Sequence, residues 1–248
     1  MQIHLLKTRL VNSYIVEYQE NLLVVDVAVG CHEHVAAFIT GELGRSLSDI
    51  ALITCTHDDP DHLGGVSALA HLCGAPVALP YASKKLRRKV LNDPNAFFFR
   101  FITMLREAFR PRAWSMYANP QRSLKARAEI LTLQTTDQIG PVSGARVSET
   151  SRIKDRQILP FFSDWQLIHT PGHSWDSCCY YHADSATLLS GDTLLGSRRK
   201  GHLVAPAILA NPKHLKSSYQ QLSNMHIKRV FPGHGSMIEG DNLIHKDL

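Results

Sequence analysis

Sulfur is scarce in this chain and follows no pattern. The 248 residues include five cysteines, at positions 31, 55, 73, 178 and 179. Their number is odd and no two form a Cys-x-x-Cys pair, so a sulfur-rich zinc knuckle is excluded and a disulfide framework is not expected; reduced, mostly buried thiols in a reducing compartment are. Long apolar runs are missing too. Met1 to Leu6 is interrupted by His4 and followed by Lys7, and Leu22 to Val29 carries Asp26. Neither run reads as the apolar part of a secretory signal, and no stretch is long and charge-free enough to span a membrane. A cytoplasmic protein without a transmembrane segment is expected. Acid is nearly absent from one stretch: residues 84–127 hold twelve Lys or Arg against only Asp93 and Glu107. Of the 27 basic and 22 acidic residues of the chain, fifteen and twenty lie elsewhere, so the formal charge of +5 belongs to one segment and not to the whole surface. The 44% apolar and 20% charged content is that of a folded globular protein, and the length fits one larger layered or sandwich domain.

The pattern of apolar residues predicts an α/β fold. Ile3 to Leu6, Ser13 to Tyr18 and Leu22 to Val27 have strand character, and His34 to Leu43 suits a helix ended near Gly44. Ile50 to Cys55 is a continuous apolar run of strand length, as in a strand covered on both faces. A helix from Gly64 to Cys73, ended by Gly74, and a short strand at Val77 to Leu79 follow. Residues from Ala82 to about Ala128 read as a basic helical insertion. Strands return at Ile130 to Gln134, Gln166 to His169, Cys178 to His182, Thr187 to Ser190 and Ile227 to Phe231. Alternation along a strand should send Cys178 and Cys179 to opposite faces. Pro212 to Met225 reads as a helix capped by Asn211 with proline at its first position. Gly140 to Ser163 is polar and mixed, and its pattern predicts no element.

The densest chemistry lies in Thr56-His57-Asp58-Asp59-Pro60-Asp61-His62-Leu63-Gly64-Gly65, at the carboxyl end of the Ile50 strand. Five side chains able to bind metal fall within six residues. In an extended loop His57 and Asp59 point the same way, Pro60 keeps Asp59 extended, and a turn after Pro60 swings Asp61 and His62 toward a neighbouring position. Asp59-Pro60-Asp61 is also a good helix start, with an Asp cap and Pro first. That reading leaves His57 and His62 without a purpose. It also leaves three distant candidates beside glycine: His173 in Thr-Pro-Gly-His-Ser, Asp192 in Ser-Gly-Asp-Thr and His234 in Pro-Gly-His-Gly. Imidazole and carboxylate together suit Zn²⁺, and added carboxylates favour Mn²⁺ or Fe²⁺.

With these motifs, and with Asn12-Ser13-Tyr14-Ile15-Val16 and Val24-Val25-Asp26 near the start, the chain resembles the metallo-β-lactamase-fold hydrolases over nearly its whole length. The resemblance implies one domain spanning 1–248, built as a four-layer αββα sandwich with its site at one edge between two sheets and the helical insertion at about 82–128. It implies a first metal held by His57, Asp59 and His173, a second held by Asp61, His62 and His234, and Asp192 bridging them. Asp61 would serve catalysis by orienting the attacking water, and Asp26 would hold a ligand in place from behind. Asp59 departs from the family, which usually has His there. Two divalent ions bring four positive charges; Asp59, Asp61, Asp192 and a bridging hydroxide bring four negative ones. The extra carboxylate should weaken the first metal as a Lewis acid, so that Mn²⁺ or Fe²⁺ competes with Zn²⁺ or the first site is partly empty.

The expected reaction is hydrolysis by a metal-activated hydroxide of a carboxylic ester, lactone or thioester of a small molecule. Two other readings stand beside it: a phosphodiesterase or nuclease of the same superfamily, and a non-catalytic metal-binding scaffold. Arg198 and Arg199 in Ser197-Arg198-Arg199-Lys200 are candidates for meeting an anionic substrate, and His202 and Tyr181 are candidates for an oxyanion donor. The stretch from Lys84 to Tyr117 interleaves Phe97, Phe98, Phe99, Phe101, Phe109 and Trp114 with Arg100, Arg106, Arg110 and Arg112. It reads as a helical insertion packing an apolar side on the sandwich, with a lid, a homodimer interface, a membrane-surface contact or a nucleic-acid contact as functional versions.

Overall fold

The computed structural model describes residues 1–8, 11–82, 94–109, 128–132, 150–197 and 201–245. Two β-sheets lie face to face. The first contains β1 (Gln2–Lys7), β2 (Asn12–Glu17), β3 (Leu22–Val25), β4 (Ile50–Thr54), β5 (Val77–Pro80), β6 (Ala128–Thr132) and β7 (Thr150–Ile153), in the order β6-β1-β2-β3-β4-β5-β7. The second contains β8 (Ile158–Leu159), β9 (Phe162–His169), β10 (Cys178–His182), β11 (Thr187–Gly191), β14 (Arg229–Pro232) and β15 (Ile238–Glu239), in the order β15-β14-β11-β10-β9-β8. A small hairpin of β12 (Leu195–Gly196) and β13 (Leu203–Val204) stands beside it. The helices are α1 (His32–Ala37), α2 (Val66–Cys73), α3 (Pro94–Ala108) and α4 (Pro212–Ser223).

Alternation along the strands makes three apolar layers. Tyr14, Val16, Leu23, Val25 and Leu52 from the first sheet meet Trp165, Leu167, Tyr180, Leu189 and Phe231 from the second. The intervening residues Ile15, Val24 and Ile53 face outward against Val35 of α1 and Val66 and Leu69 of α2. On the far side Ile168, Cys179, Leu188 and Val230 receive Leu215, Tyr219 and Leu222 of α4. The result is the expected αββα sandwich. Cys178 joins the central layer and Cys179 the outer one, so the two thiols do point to opposite faces. No disulfide joins the five cysteines, and burial pushes the Cys55 and Cys178 thiols well up, which leaves them unreactive.

Local signals worked as read at several ends. Asn211 caps α4, its Oδ1 accepting from Lys213 N at 3.0 Å and His214 N at 3.2 Å. Gly74, at φ +70°, ends α2. Elsewhere the structure differs. The expected helix of 34–43 is α1 followed by a wider turn over Phe38–Glu42, closed by Leu43 N–H to Phe38 O at 3.1 Å. The polar tract of 140–163 contains β7, β8 and the start of β9. β7 and β8 are short, four and two residues, too short to show a period, and the start of β9 runs into Asp164, whose carboxylate accepts from Tyr18 and from His182 at 2.9 Å. Of the insertion, α3 is a helix as expected; Lys84–Lys89 and 110–127 lie outside the described residues.

The first and last parts of the chain are tied together at the site edge. Asn12 Nδ2 donates to Pro232 O at 2.8 Å and Gly235 O at 3.1 Å, and Asn12 N–H donates to Gly233 O at 2.8 Å.

Candidate metal centre

The seven candidate side chains stand at or just beyond the carboxyl ends of β4, β9, β11 and β14, all on one edge of the sandwich. This is where open sheets gather ligands, because successive strands deliver their following loops to one rim. The loop after β4 turns as Pro60 predicts: His62 N–H and Leu63 N–H donate to Asp59 O at 2.9 and 2.8 Å. It is stitched back to the chain beyond β3 through Val27 N–H to His62 O and Gly65 N–H to Val27 O, each 2.8 Å. Glycine is needed at two of the motif positions. A Cβ on Gly233 would lie 2.5 Å from Asp192 Oδ1 and 2.7 Å from His62 Cε1, and one on Gly191, at φ +49°, would lie 2.4 Å from Thr56 Oγ1.

Three groups of donor atoms converge: His57, Asp59 and His173; His57, His62 and Asp192; Asp61, His62 and His234. Asp59 Oδ2 is 3.3 Å from both His57 Nε2 and His173 Nε2. His234 Nε2 is 3.4 Å from Asp61 Oδ2 and 3.3 Å from Asp192 Oδ2, and His62 Nε2 is 3.4 Å from Asp192 Oδ1. Asp192 also reaches the first group, 3.7 Å from His173 Nε2. Two donors bonded at about 2.0–2.1 Å to one tetrahedral ion lie about 3.3–3.4 Å apart, so these spacings fit shared cations. His57 Nε2, His62 Nε2 and Asp192 Oδ1 are buried with no hydrogen-bond partner. Buried polar atoms are rarely left so unless something else binds them.

Each buried imidazole is aimed by its other nitrogen. Asp26, at the end of β3 and in left-handed backbone at φ +62°, accepts from Thr56 N–H at 2.7 Å and from His62 Nδ1–H at 2.9 Å. Thr56 Oγ1 donates to Asp26 and accepts from His57 Nδ1–H at 3.1 Å. His173 Nδ1–H donates to Ile208 O at 2.8 Å. In all three the Nε2 lone pair is thereby turned into the cluster.

Charge follows the same geometry. Burial would drive His62 and His234 toward neutral imidazole, but Asp26 and Asp192 hold the His62 proton well above its ordinary range, and Asp192 with Asp61 brings His234 up to about 9. Burial would raise Asp59, Asp61 and Asp192, yet all three are held low: Asp59 by His173, His57 and Arg100, Asp61 by His234 and His62, Asp192 by His234 and His62. The cluster is a strong sink for positive charge. Asp58, the fifth acidic or imidazole residue of the loop, belongs to none of the three groups; its N–H donates to Asp176 Oδ2 at 2.8 Å, and burial raises its carboxyl.

Arg100 of α3 is the site residue that sequence reasoning missed. Its Nη2 forms a close ion pair with Asp59 Oδ2, across 41 residues of chain. The sequence marked it only as one of many basic residues. The helix was expected to lay its apolar side on the sandwich with its cations outward. Instead Arg100 and Thr103 face inward, while Phe97, Phe98, Phe101 and Phe109 are exposed, because polar contacts dock the helix. Asp176 was missed as a support because only the tertiary fold brings it behind the loop, and Thr56, within the loop, because its partner Asp26 is supplied by another strand. Of the candidates for substrate contact, Arg198 and Arg199 lie outside the described residues. His202 is exposed between β12 and β13 and lines a hollow with Ile238, Glu239 and Asp241. Tyr181 OH donates to His226 O at 2.8 Å on the α4 side of the second sheet, away from the cluster.

Comparison with known proteins places the fold and the family. Solved structures match the fold: a metallo-beta-lactamase family protein, TTHA1429 from Thermus thermophilus, has a TM-score of 0.59 and 21% identity, covering 94% of this chain and 70% of its own. TTHA1623, solved in a di-iron-bound form, has a TM-score of 0.55 and 22% identity, covering 92% of this chain and 89% of its own. Lactamase-like protein GME11357 from Pestalotiopsis microspora is 32% identical over 81 residues, a third of this chain (33%) and 22% of that protein. The chain thus matches about a fifth of the length of that curated relative. Among the described residues no helix is long and apolar enough to cross a membrane. The model of the Metallo-beta-lactamase superfamily matches residues 6–234, from β1 through the last candidate histidine, and the chain belongs to that family.

Proposed function

We propose that this protein is a metal-dependent hydrolase that cleaves a carboxylic ester, lactone or thioester of a small molecule. One observation carries the reading: buried Nε2 and carboxylate atoms lacking hydrogen-bond partners converge at the spacing of ligands around shared cations. His57, Asp59 and His173 would hold one ion, Asp61, His62 and His234 the other, with Asp192 touching both. Divalent ions held there would supply a nucleophile from water at neutral pH and polarise the bond under attack. The chain's own residues do the rest. Asp26, Thr56 and the Ile208 carbonyl keep the imidazoles aimed. Asp61, about one third exposed at 32% and 3.4 Å from His234, is the carboxylate best placed to orient water or take up its proton. Three carboxylates and four imidazoles without sulfur suit Zn²⁺, Mn²⁺ or Fe²⁺, and the di-iron form of TTHA1623 supports a two-ion reading. The buried thiols fit a cytoplasmic setting.

The phosphodiesterase alternative draws on the His-x-Asp-x-Asp-His form of the metal motif, His57 to His62, and on the basic stretch. Among the described basic residues of that stretch, Arg100 is engaged by Asp59 rather than left for a phosphate, so the carboxylic-ester reading is preferred. The test is a panel of chromogenic esters, lactones, thioesters and bis-aryl phosphodiesters, run with Zn²⁺ or Mn²⁺ on the full chain, with metal content measured in parallel. Turnover of a carboxylic substrate that chelation abolishes is expected. Phosphodiester turnover alone would transfer the site to the alternative. Metal loading without any turnover would favour a binding scaffold.

A further inference from the structure

The two halves of the cluster differ in what stands behind them. Asp59 Oδ2, the atom that faces His57 and His173 at 3.3 Å each, is also the atom that Arg100 grips. The guanidinium is held at one end, with its Nε buried and lacking a hydrogen-bond partner. A second contact ties the same helix to the same half. Thr103 Oγ1, three residues further along α3, accepts from Leu209 N–H at 3.2 Å and shares its own hydrogen between Arg100 O at 2.9 Å and Leu209 O at 3.3 Å. Leu209 adjoins Ile208, whose carbonyl receives His173 Nδ1–H at 2.8 Å. The loop continues through Ala210 N–H, which donates to Gly172 O at 2.9 Å and His173 O at 3.0 Å. Asp61, His62 and His234 are instead braced by Asp26 at the end of β3 and by each other.

We propose that Arg100 is a positioning residue that cancels the charge of Asp59 and couples the first metal position to α3, so that ions fill the Asp61–His62–His234 position before the His57–Asp59–His173 position. This rests on the metal reading above. A carboxylate already paired with a guanidinium is a weaker donor, because a cation must share its charge with Arg100 or push it aside. The coupling is reciprocal: whatever holds α3 down weakens the first position, and an ion in the first position loosens α3. The helix is therefore a latch on one of two neighbouring sites, and its release frees a guanidinium at the rim.

The test uses the full-length apoprotein titrated with Mn²⁺ and, separately, Zn²⁺ by calorimetry, with hydrogen exchange followed on the 94–108 peptide. Asp59→Asn identifies the weaker step by abolishing it. Arg100→Gln should tighten that step by at least about tenfold, the weight of one charged hydrogen bond, move the stronger step less than about twofold, and raise exchange in α3 before any metal is added. Arg100→Lys keeps the charge and should stay close to the wild type; Arg106→Gln, on the same helix, controls for loosening of α3 alone. Two steps that ignore Arg100→Gln, or that shift together, overturn the inference and leave the hydrolase reading standing. An Arg100→Lys protein that behaves like Arg100→Gln also overturns it. A wild-type chain that takes up no metal removes both.

Discussion

The first and second halves of the cluster use the same chemistry on different foundations. His62 is buttressed by Asp26, which is fully buried, sits at the end of a central strand, and engages Thr56 and His62 with both carboxylate oxygens. Asp59 is buttressed by Arg100, on a helix that enters from outside the sandwich and leaves its large apolar side chains exposed. One half inherits the rigidity of the sheet. The other depends on how an inserted element is seated. Rigid support fixes geometry at low cost, whereas support from a docked helix can be varied without disturbing the core.

Removing what the halves share should have the largest effect. Asp192→Asn takes away the carboxylate that touches both, and kcat/KM on the best ester of the panel should fall by about 10²–10³-fold or more, as when a preorganised charged group is lost at a reacting centre. Steady-state kinetics at saturating metal would check it; a loss under tenfold would deny Asp192 a shared role. Asp26→Asn should separate the halves. Metal affinity at the second position should drop by about 10–100-fold, the usual cost of losing an outer support, while the Arg100-dependent step, which Asp26 reaches only through Thr56 and His57, shifts less in calorimetry. Gly233→Ala should break the second half by crowding. The new methyl would meet Asp192 and His62, costing about 1–3 kcal/mol of stability, read by chemical denaturation of the apoprotein, with weaker metal binding besides.

The smallest effect should come from the other end of β9, where neither half is touched. Burial alone would raise the Asp164 carboxyl, but hydrogen bonds from His182 and Tyr18 bring it below its ordinary range. The folded chain therefore carries fewer protons there than the unfolded chain. Stability from this pairing is complete above about pH 4 and is lost as pH falls through the lowered folded value. Asp164→Asn should cost about 1–2 kcal/mol near neutrality and progressively less in acid, in urea melts run at several pH values. Both metal steps should be unchanged; a change in either would mean that the site is not insulated from the far end of the sheet.

Much of this was legible in order along the chain. Alternation in Tyr14, Ile15 and Val16 and in Cys178 and Cys179 announced which face each residue would take, and the glycines beside His173, Asp192 and His234 marked the loops that gather at the rim. Those signals are local: a strand has a period of two, and a tight approach of backbone to ligand atoms admits only glycine, as at Gly191 and Gly233. Arg100 could not be read this way. Nothing in Phe99-Arg100-Phe101 distinguishes a cation aimed at Asp59 from one aimed at water, since the choice is made by the docking of α3 through Thr103 and Leu209. The start of β9 was hidden for a related reason: Asp164 breaks the apolar period, and its partners Tyr18 and His182 are supplied by other strands, whereas β7 and β8 are too short to show a period at all.

The clasp between Asn12 and the Pro232–Gly235 turn gives the cluster a place in time as well as space. His57 and His234 come from opposite ends of the polypeptide, so the donor set is complete only after the last long strand has docked beside β11 and been fastened to the second. Pairings of such wide sequence separation form late in folding. An ion captured there would report finished folding and add its binding energy to the stability of the clasp.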